Sequence, residues 1–322
     1  STADRIDFSN ETTSAPGNNL SQGRYYTADA SNNNYGYFSG GIANPGYVTT
    51  VDRIDFSNET LSLPGNNLTQ ARALFRGVSS NSYGYLCGGS APGNNPVYVD
   101  TVSRLEFSND TFSAPGNVLT EGRRTYFSVA GGASYRPKGS RTYGYFAGGG
   151  ITSGSDIVDR IDFSNETISV PGNELTQGRF GLATVSTSSY GYFGGGNVPP
   201  LNPDYVATVD RIDFSNETFT APGKNLSVAR YGLAALSSSS YGYFGGGYRQ
   251  PPPVFFDTID RLDFSNETLS LPGNELPQAR NLLSAVSSNS YGYFVGGNVP
   301  GGSDRVDRID FSNETTSAPG NN

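Results

Sequence analysis

The side chains with the clearest chemical potential belong to a charged phrase that recurs along the chain. The phrase "DRIDFSNET" begins at Asp4, Asp52, Asp159, Asp210 and Asp307, and close variants begin at Ser103 and Asp260. Side chains of an extended chain alternate between two faces, so the arginine and the second aspartate of each copy share one face. Such a row of opposite charges could form ion pairs, bind a metal ion or transfer protons in catalysis.

We interpret these charges as a ladder of ion pairs between neighbouring repeats. A catalytic carboxylate pair needs two groups that are held in different environments, whereas copies of one phrase place their carboxylates in equivalent environments. The sequence therefore predicts an inter-repeat ladder, and neither a metal site nor catalytic residues. The members of this ladder are Arg53, Asp55, Arg160, Asp162, Arg211, Asp213, Arg261 and Asp263.

Other routes to enzymatic chemistry have little support. The chain contains no histidine, which excludes a Ser-His-Asp triad, a Cys-His pair and imidazole ligands for a metal. Cys87 falls in a column of small residues that includes Ser39 and Ala147, so we expect a buried filler and not a nucleophile. A glycosidase that uses two carboxylates is the alternative that these residue types leave open. We predict no enzyme and no cofactor.

The charged phrase is one of three anchors of a repeat. The second anchor is an arginine at positions 24, 72, 123, 179, 230 and 280, and the third is the first tyrosine of "YGY" at positions 35, 83, 143, 190, 241 and 291. The arginine of the charged phrase precedes the second anchor by 19 residues in all six units. Apart from an insertion in the third unit, spacing varies only between the tyrosine and the next charged phrase, so length variation is confined to that connection.

Each unit predicts four short antiparallel strands. The first follows the anchor arginine, the second contains "YGY", the third is the charged phrase, and the fourth ends at Pro-Gly. Turn-forming residues separate these segments, and none of them shows a sustained helical period. Units of about 50 residues with four strands have the size of a propeller blade. The sequence therefore predicts an all-β propeller of six four-stranded blades with a surplus N-terminal β-hairpin.

The anchor arginines also mark the predicted boundaries between blades. A surplus half-blade covers 1–23, and the blades cover 24–71, 72–122, 123–178, 179–229, 230–279 and 280–322. The phrase "DRIDFSNETTSAPGNN" occurs at 4–19 and again at 307–322, so seven outer strand pairs accompany six inner pairs. The simplest account of this surplus is a six-unit array cut from a longer protein. A hairpin that docks on a neighbouring subunit and an open superhelix of blades are the alternatives. We favour a closed ring because closure removes exposed strand edges.

The phrase "YGY" followed by Gly-Gly predicts close packing between blades. Tyr83 and Tyr85 point to one face of their strand and Gly84 points to the other. We expect the glycine to leave room for an aromatic ring of the neighbouring blade. The terminal Gly-Gly allows backbone angles that other residues resist. A phosphate-binding loop is excluded because no Gly-Lys-Ser/Thr follows.

The order of these segments resembles the kelch repeat: an apolar strand that ends in Gly-Gly, a strand such as "DRIDF", a turn, a short strand, and an arginine that opens the next unit. The resemblance covers essentially the whole chain and implies a propeller. The tryptophan usual in the fourth kelch strand is absent, which implies a thinner outer layer. The wording of "YGYFGGG" with "DRIDFSNET" is also similar to repeats in virion structural proteins of marine tailed phages, and so implies a tail-fibre-like component.

The connection between the second and third strands varies in length from unit to unit, and we predict that these loops form the binding rim. Loops on a rigid scaffold commonly carry binding residues, and these loops combine aromatic rings with charged and amide groups that suit a sugar or a peptide. The predicted ligand-binding residues are Tyr47, Tyr98, Tyr205, Tyr248, Arg249, Phe255, Phe256 and Arg305. The insertion "GGASYRPKGSR" at 131–141 lies on the opposite rim, where contact with a neighbouring subunit is the alternative.

Net charge and hydropathy restrict the classes of partner that the chain could bind. The formal net charge of −8 argues against nucleic acid, which is bound by clustered Lys and Arg. No apolar run of about 18 residues is present to cross a membrane. We expect a non-enzymatic structural or adhesion propeller of a virion or extracellular fibre. It would bind a host glycan or protein and neighbouring subunits. A ligand-free spacer and a kelch protein-interaction module are the alternatives.

Overall fold

A computed structural model describes residues 3–10, 12–15, 17, 19–93, 97–124, 142–150, 154–199, 204–299 and 303–318. The secondary structure of these residues consists of strands and turns, and they form no helix that could cross a membrane. The predicted all-β propeller is confirmed. Six blades are arranged in a ring, and in each blade the strands follow one another in chain order across an antiparallel sheet.

The strands of the N-terminal hairpin are β1 (Arg5–Asp7) and β2 (Thr12–Ser14). Those of the first blade are β3 (Ala28–Ser31), β4 (Tyr35–Ser39), β7 (Val51–Asp55) and β8 (Leu61–Ser62). Those of the second blade are β9 (Arg76–Ser79), β10 (Tyr83–Cys87), β13 (Val102–Glu106) and β14 (Thr111–Ser113). In the third blade the described strands are β15 (Tyr143–Ala147), β16 (Val158–Asp162) and β17 (Ile168–Ser169).

Those of the fourth blade are β18 (Ala183–Ser186), β19 (Tyr190–Gly194), β22 (Val209–Asp213) and β23 (Phe219–Thr220). Those of the fifth are β24 (Ala234–Ser237), β25 (Tyr241–Gly245), β28 (Ile259–Asp263) and β29 (Leu269–Ser270). Those of the sixth are β30 (Ser284–Ser287), β31 (Tyr291–Val295), β32 (Val306–Asp310) and β33 (Thr316–Ser317). The remaining strands form short hairpins on one rim: β5 (Ile42–Ala43) with β6 (Gly46–Tyr47), β11 (Ser90–Ala91) with β12 (Val97–Tyr98), β20 (Asn197–Val198) with β21 (Asp204–Tyr205), and β26 (Tyr248–Arg249) with β27 (Val254–Phe255).

Aromatic stacking joins each blade to the next one. The second tyrosine of "YGY" stacks on the phenylalanine of the charged phrase in the following blade, as Tyr85 does on Phe163 with ring centroids 5.5 Å apart. Tyr85 is buried and Phe163 is partly buried. Because the contact is made by repeated residues, it recurs around the ring, in the pairs Tyr37–Phe107, Tyr145–Phe214, Tyr192–Phe264 and Tyr243–Phe311.

The glycine of "YGY" faces the preceding blade, and its neighbour there differs from the predicted one. A Cβ on Gly84 would lie 2.7 Å from the Cβ of Ala30 in the preceding blade and 3.3 Å from Phe107 of its own blade. The neighbouring blade therefore contributes a small aliphatic side chain, and the aromatic ring comes from the same sheet. The expectation of a neighbouring aromatic ring was wrong because the innermost strand of the preceding blade approaches too closely to admit one.

The Gly-Gly pair at the end of the second strand makes a backbone contact with the next blade. Gly88 and Gly89 have φ values of 69° and 111°, as predicted for positions that favour glycine. The Gly89 N–H donates to the carbonyl of Arg123, which opens the following blade, over 2.9 Å. A Cβ on Gly88 would lie 2.8 Å from that same carbonyl oxygen.

The side chain of the anchor arginine is buried in every blade, and in five of the six blades it forms an ion pair inside its own sheet. Arg179 lies 2.8 Å from the Asp210 carboxylate, both side chains are fully buried, and the guanidinium also donates to the Phe193 carbonyl over 3.1 Å. One residue thus fixes the second and third strands relative to the start of the first. The equivalent pairs are Arg24–Asp52, Arg123–Asp159, Arg230–Asp260 and Arg280–Asp307.

The second blade departs from this pattern because its charged phrase begins with Ser103. Arg72 donates to the Ser103 hydroxyl over 2.9 Å and to the carbonyls of Leu86 and Thr101. With no carboxylate beside it, burial lowers the pKa of Arg72 to about 10. Cys87 lies nearby as the predicted buried filler, and burial raises the pKa of its thiol.

The surplus hairpin lies between the sixth and first blades of the same chain. Phe8 stacks on Tyr293 of the sixth blade with ring centroids 5.4 Å apart. Arg5 bonds to Glu59 of the first blade over 2.8 Å. These are the contacts that successive blades make elsewhere in the ring. The hairpin therefore takes the outer half of a seventh position.

Replacing Gly242 by valine should lower the free energy of unfolding. A Cβ there would lie 2.7 Å from Cγ2 of Val185 in the preceding blade, and overpacking of this kind costs about 1–3 kcal/mol. Urea denaturation measures the change. Gly46→Val is the matched control because a Cβ on Gly46 meets no atom within 4 Å. Equal stabilities of the two variants would contradict the packing explanation.

Replacing Ser103 by aspartate should raise the free energy of unfolding. The Arg72 guanidinium is already desolvated, so a carboxylate at this position would add a charged hydrogen bond without burying another cation, a gain of about 1 kcal/mol. The converse change, Asp210→Asn, should cost about 3–5 kcal/mol because it leaves Arg179 buried without its counter-ion. Ser103→Ala is the control for loss of the hydroxyl. If Ser103→Asp were less stable than Ser103→Ala, the proposed role of the ion pair would be wrong.

Candidate functional site

One rim of the ring carries both the connections between the second and third strands and the segments where the blades begin. The residue after an anchor arginine forms a β-bridge with the residue that follows Gly-Gly in the same blade, as Tyr231 does with Tyr248. The same bridge joins Tyr25 to Ile42 and Phe180 to Asn197. Side chains from two separate parts of each repeat therefore meet on this rim.

Five aromatic rings are in contact on the rim between the fourth and fifth blades. Tyr231 lies at their centre, stacked on Tyr205 with ring centroids 5.3 Å apart and an interplanar angle of 14°. The Tyr248 ring meets Tyr231 edge-on at 5.7 Å, and Phe180 does so at 6.5 Å. Phe255 lies 5.0 Å from Tyr248. We call these five residues the rim cluster.

Polar groups border the rim cluster. The exposed Arg249 places its guanidinium 5.6 Å from the Phe256 ring. The Tyr248 hydroxyl donates to Oε1 of Gln250 over 3.0 Å. Tyr205 is 9% exposed, and burial raises the pKa of its hydroxyl. The cluster thus combines a rigid aromatic base with a guanidinium and an amide at its edge.

The structure brings together five of the eight predicted ligand-binding residues. Tyr205, Tyr248 and Phe255 belong to the rim cluster, and Arg249 and Phe256 lie beside it. The other three are held in separate contacts. Tyr47 hydrogen-bonds Ser90 of the next blade over 3.1 Å, Tyr98 lies under the Arg124 guanidinium at 5.3 Å, and Arg305 lies 3.3 Å from Asp307.

Sequence reasoning missed Phe180, Tyr231 and Arg124 as rim residues. Each directly follows an anchor arginine, where the other units have Tyr25, Ala73 and Asn281. The position after the anchor arginine was the available sign of a rim residue, because it changes from unit to unit beside an arginine that does not change. The insertion at 131–141 lies outside the described residues.

The ladder between blades uses different carboxylates from those predicted. Arg211 binds Glu267 of the following blade over 2.7 Å, and the Tyr192 hydroxyl donates to the same carboxylate over 2.9 Å. Glu267 sits in the turn after the third strand, with φ near 58°. The equivalent pairs are Arg53–Asp110, Arg104–Glu166, Arg160–Glu217 and Arg261–Glu314.

The predicted ladder aspartates cap turns of their own sheet. Asp213 accepts from the N–H and the hydroxyl of Ser215 over 2.9 and 2.6 Å, and these bonds lower the pKa of its carboxyl. Asp55, Asp162 and Asp263 accept from Ser57, Ser164 and Ser265 in the same way. The physical reason is proximity, because an aspartate at a strand end reaches the N–H two residues on. Oδ1 of Asn216 likewise accepts from the N–H and the hydroxyl of Thr218 over 3.0 and 2.7 Å.

The described part of the chain holds no group of three or more potential metal ligands from Cys, Asp and Glu. The carboxylates of the repeats engage arginine, tyrosine, serine or threonine instead. The rim itself offers aromatic stacking surfaces with hydrogen-bonding groups at their edge.

No protein-family model and no curated protein matches this chain. Among solved structures, it is similar to the structure of YjhT, with a TM-score of 0.67 and 14% sequence identity. The match covers 92% of this chain and 97% of that one. A likeness at this identity shows the β-propeller fold alone.

A double-mutant cycle should separate the observed ladder from the predicted one. Arg211→Gln combined with Glu267→Gln should show a coupling of about 0.5–1 kcal/mol in the free energy of unfolding, because the two groups are in contact and only partly exposed. Arg211→Gln combined with Asp213→Asn is the matched control and should be near additive. Stronger coupling to Asp213 would overturn the assignment.

Proposed function

We propose that this chain is a non-enzymatic binding propeller and that the rim cluster holds a surface glycan. The observation that carries the proposal is the contact of Phe180, Tyr205, Tyr231, Tyr248 and Phe255 beside an exposed arginine. Protein sites for small ligands usually combine apolar and aromatic walls with a few polar groups that fix orientation.

The shape of a sugar suits these groups. A pyranose ring has an apolar face of C–H groups that packs on an aromatic ring, and it has hydroxyls around its edge. Tyr248 and Phe255 offer ring surface, while Arg249 and Gln250 offer a cation and an amide. The stacked, nearly buried Tyr205 supports Tyr231 from below, so little side-chain freedom would be lost on binding.

The wider setting is part of the same proposal. The repeats are of the kelch type, and the protein is a component of a virion or of an extracellular fibre, in which neighbouring subunits are further partners. The support is the combination of the motifs "YGYFGGG" and "DRIDFSNET", which resembles repeats of marine phage virion proteins. A host protein is the alternative ligand, and a kelch protein-interaction module or a ligand-free spacer is the alternative role.

The test measures glycan binding by the intact chain and by variants of the rim cluster. Tyr248→Ala with Arg249→Ala should weaken binding at least tenfold, because one stacking surface and the cation are lost together. Tyr98→Ala is the matched control, since it removes a rim tyrosine of another blade that lies outside the cluster. Binding is followed on a glycan array and then by calorimetry with the selected sugar.

The possible results distinguish a glycan-binding role from a spacer or protein-binding role. Loss in the double variant with retention in Tyr98→Ala supports the glycan site. Equal loss in both variants, or no glycan binding by the parent protein, contradicts it and favours a spacer or a protein-binding role.

A further inference from the structure

Among the described residues, the seventh position of the ring holds the outer hairpin formed by β1 and β2 and no inner pair of strands. We propose that the inner half of this position is a docking slot for a polypeptide β-hairpin with the sequence pattern of the repeat's own first and second strands. The inference is independent of the rim cluster. Four kinds of contact recur within the blades and at their junctions, and at the seventh position one partner of each contact is present.

The first contact is strand pairing. In the six blades, each third strand pairs with a Tyr-Gly-Tyr strand, as β22 pairs with β19 in the register Tyr192↔Arg211 and Gly191↔Ile212. Within the described residues, β1 pairs with β2 alone. The other edge of Arg5–Asp7 is therefore an open β-ladder, and an edge of this kind pairs readily with an added strand.

The second contact is the aliphatic residue that packs on the "YGY" glycine of the next blade. Val185 packs on Gly242 and Val78 on Gly144, and both valines are almost fully buried. Their equivalent in the sixth blade, Val286, is 41% exposed. It faces the place that a glycine of a seventh inner pair would take.

The third contact is the tyrosine–phenylalanine stack. Phe107 of the second blade stacks on Tyr37 of the first and is only 7% exposed. Phe56, at the same position in the first blade, is 48% exposed. A tyrosine from the seventh position would cover it. Phe8 of the surplus hairpin is also exposed, although it stacks on Tyr293.

The fourth contact is made by the anchor arginine. In five blades its guanidinium pairs with the first aspartate of the charged phrase, whereas Asp4 of the surplus hairpin is exposed. The carbonyl of the anchor arginine accepts from the N–H of the second glycine in the Gly-Gly pair of the preceding blade, as the Arg280 carbonyl does from Gly247. Among the described residues, Gly297 of the sixth blade has no such arginine carbonyl. The slot thus selects an arginine at the start of its occupant.

These requirements specify the occupant closely. It needs an arginine for Asp4, a first strand, a tight turn, and a second strand with glycine opposite Val286 and tyrosine over Phe56. The sequence of residues 230–247, "RYGLAALSSSSYGYFGGG", meets all of them. A generic apolar peptide would lack the arginine and would be too bulky at the glycine position.

The test adds a synthetic peptide with the sequence of residues 230–247 to the intact chain. Calorimetry should give one peptide per chain, and the thermal midpoint should rise with peptide concentration because the ligand binds the folded state. Hydrogen exchange should slow at the backbone amides of Arg5–Asp7. A peptide carrying Arg230→Ala should bind at least tenfold more weakly, and one carrying Gly242→Val should not bind.

Val286→Asp is the decisive protein variant. Val286 is already partly exposed, so the variant should fold like the parent and yet lose the peptide. Leu271→Asp, at an exposed leucine after the fourth strand of the fifth blade, is the matched control and should keep it. Binding that persists in Val286→Asp would place the peptide elsewhere and overturn the proposal.

A fused version guards against poor solubility of the free peptide. The same hairpin sequence is attached after Asn322 through a flexible Gly-Ser linker, which raises its effective concentration at the slot. Protection of Arg5–Asp7 in the fused chain, lost again with Val286→Asp, supports docking. Unchanged exchange at Arg5–Asp7 in the fused chain would overturn it.

Discussion

The buried arginine at the start of each blade is the interaction on which the rest of the ring depends. Through its side chain, Arg179 binds the carboxylate of the third strand and a carbonyl of the second. Through its own carbonyl, it accepts the Gly149 N–H of the preceding blade. Burying two charges costs much of what their attraction gains, so we interpret the main effect of the pair as fixing one arrangement of strands.

The residues that hold the sheets together lie outside the rim loops, which explains why the sequence and length of these loops can vary. The arginine, the aspartate and the glycines hold each sheet and its junctions. The step from each charged phrase to the anchor arginine that follows it is constant, whereas the connection between the second and third strands varies in length. The connection between the second and third strands begins after the Gly-Gly pair and bears little of that packing. Aromatic residues could therefore accumulate in the fourth and fifth blades without disturbing the scaffold, and they meet there because neighbouring rim hairpins lie side by side.

The sequence was sufficient to predict the fold because the repeat carries its own periodicity. Strand order, the glycine conformations and the burial of Cys87 followed from spacing and from residue type. The ladder partners did not, because alternation along a strand shows which side chains share a face but not which turn of the neighbouring sheet lies opposite. Glu267 reaches Arg211 only through a left-handed turn conformation that a glutamate rarely adopts.

The same limit applies to the rim cluster. Tyr205 and Tyr248 were evident as loop aromatics, whereas Tyr231 opens a first strand and joins them only through a β-bridge in the folded sheet. Its position depends on the register between distant segments. A variable residue beside an invariant arginine was the one local sign of it.

Among the described residues, the side-chain contacts between blades run in one direction around the ring. Tyrosine and arginine of one blade meet phenylalanine and carboxylate of the next. Each blade thus has a head and a tail, like the subunit of a polar filament, and such a head-to-tail interface closes only when the rotation per unit adds up to a full turn. Gain or loss of a whole repeat would leave every interface chemically intact and change only the circumference, so gene duplication could alter the size of the ring without inventing a new contact.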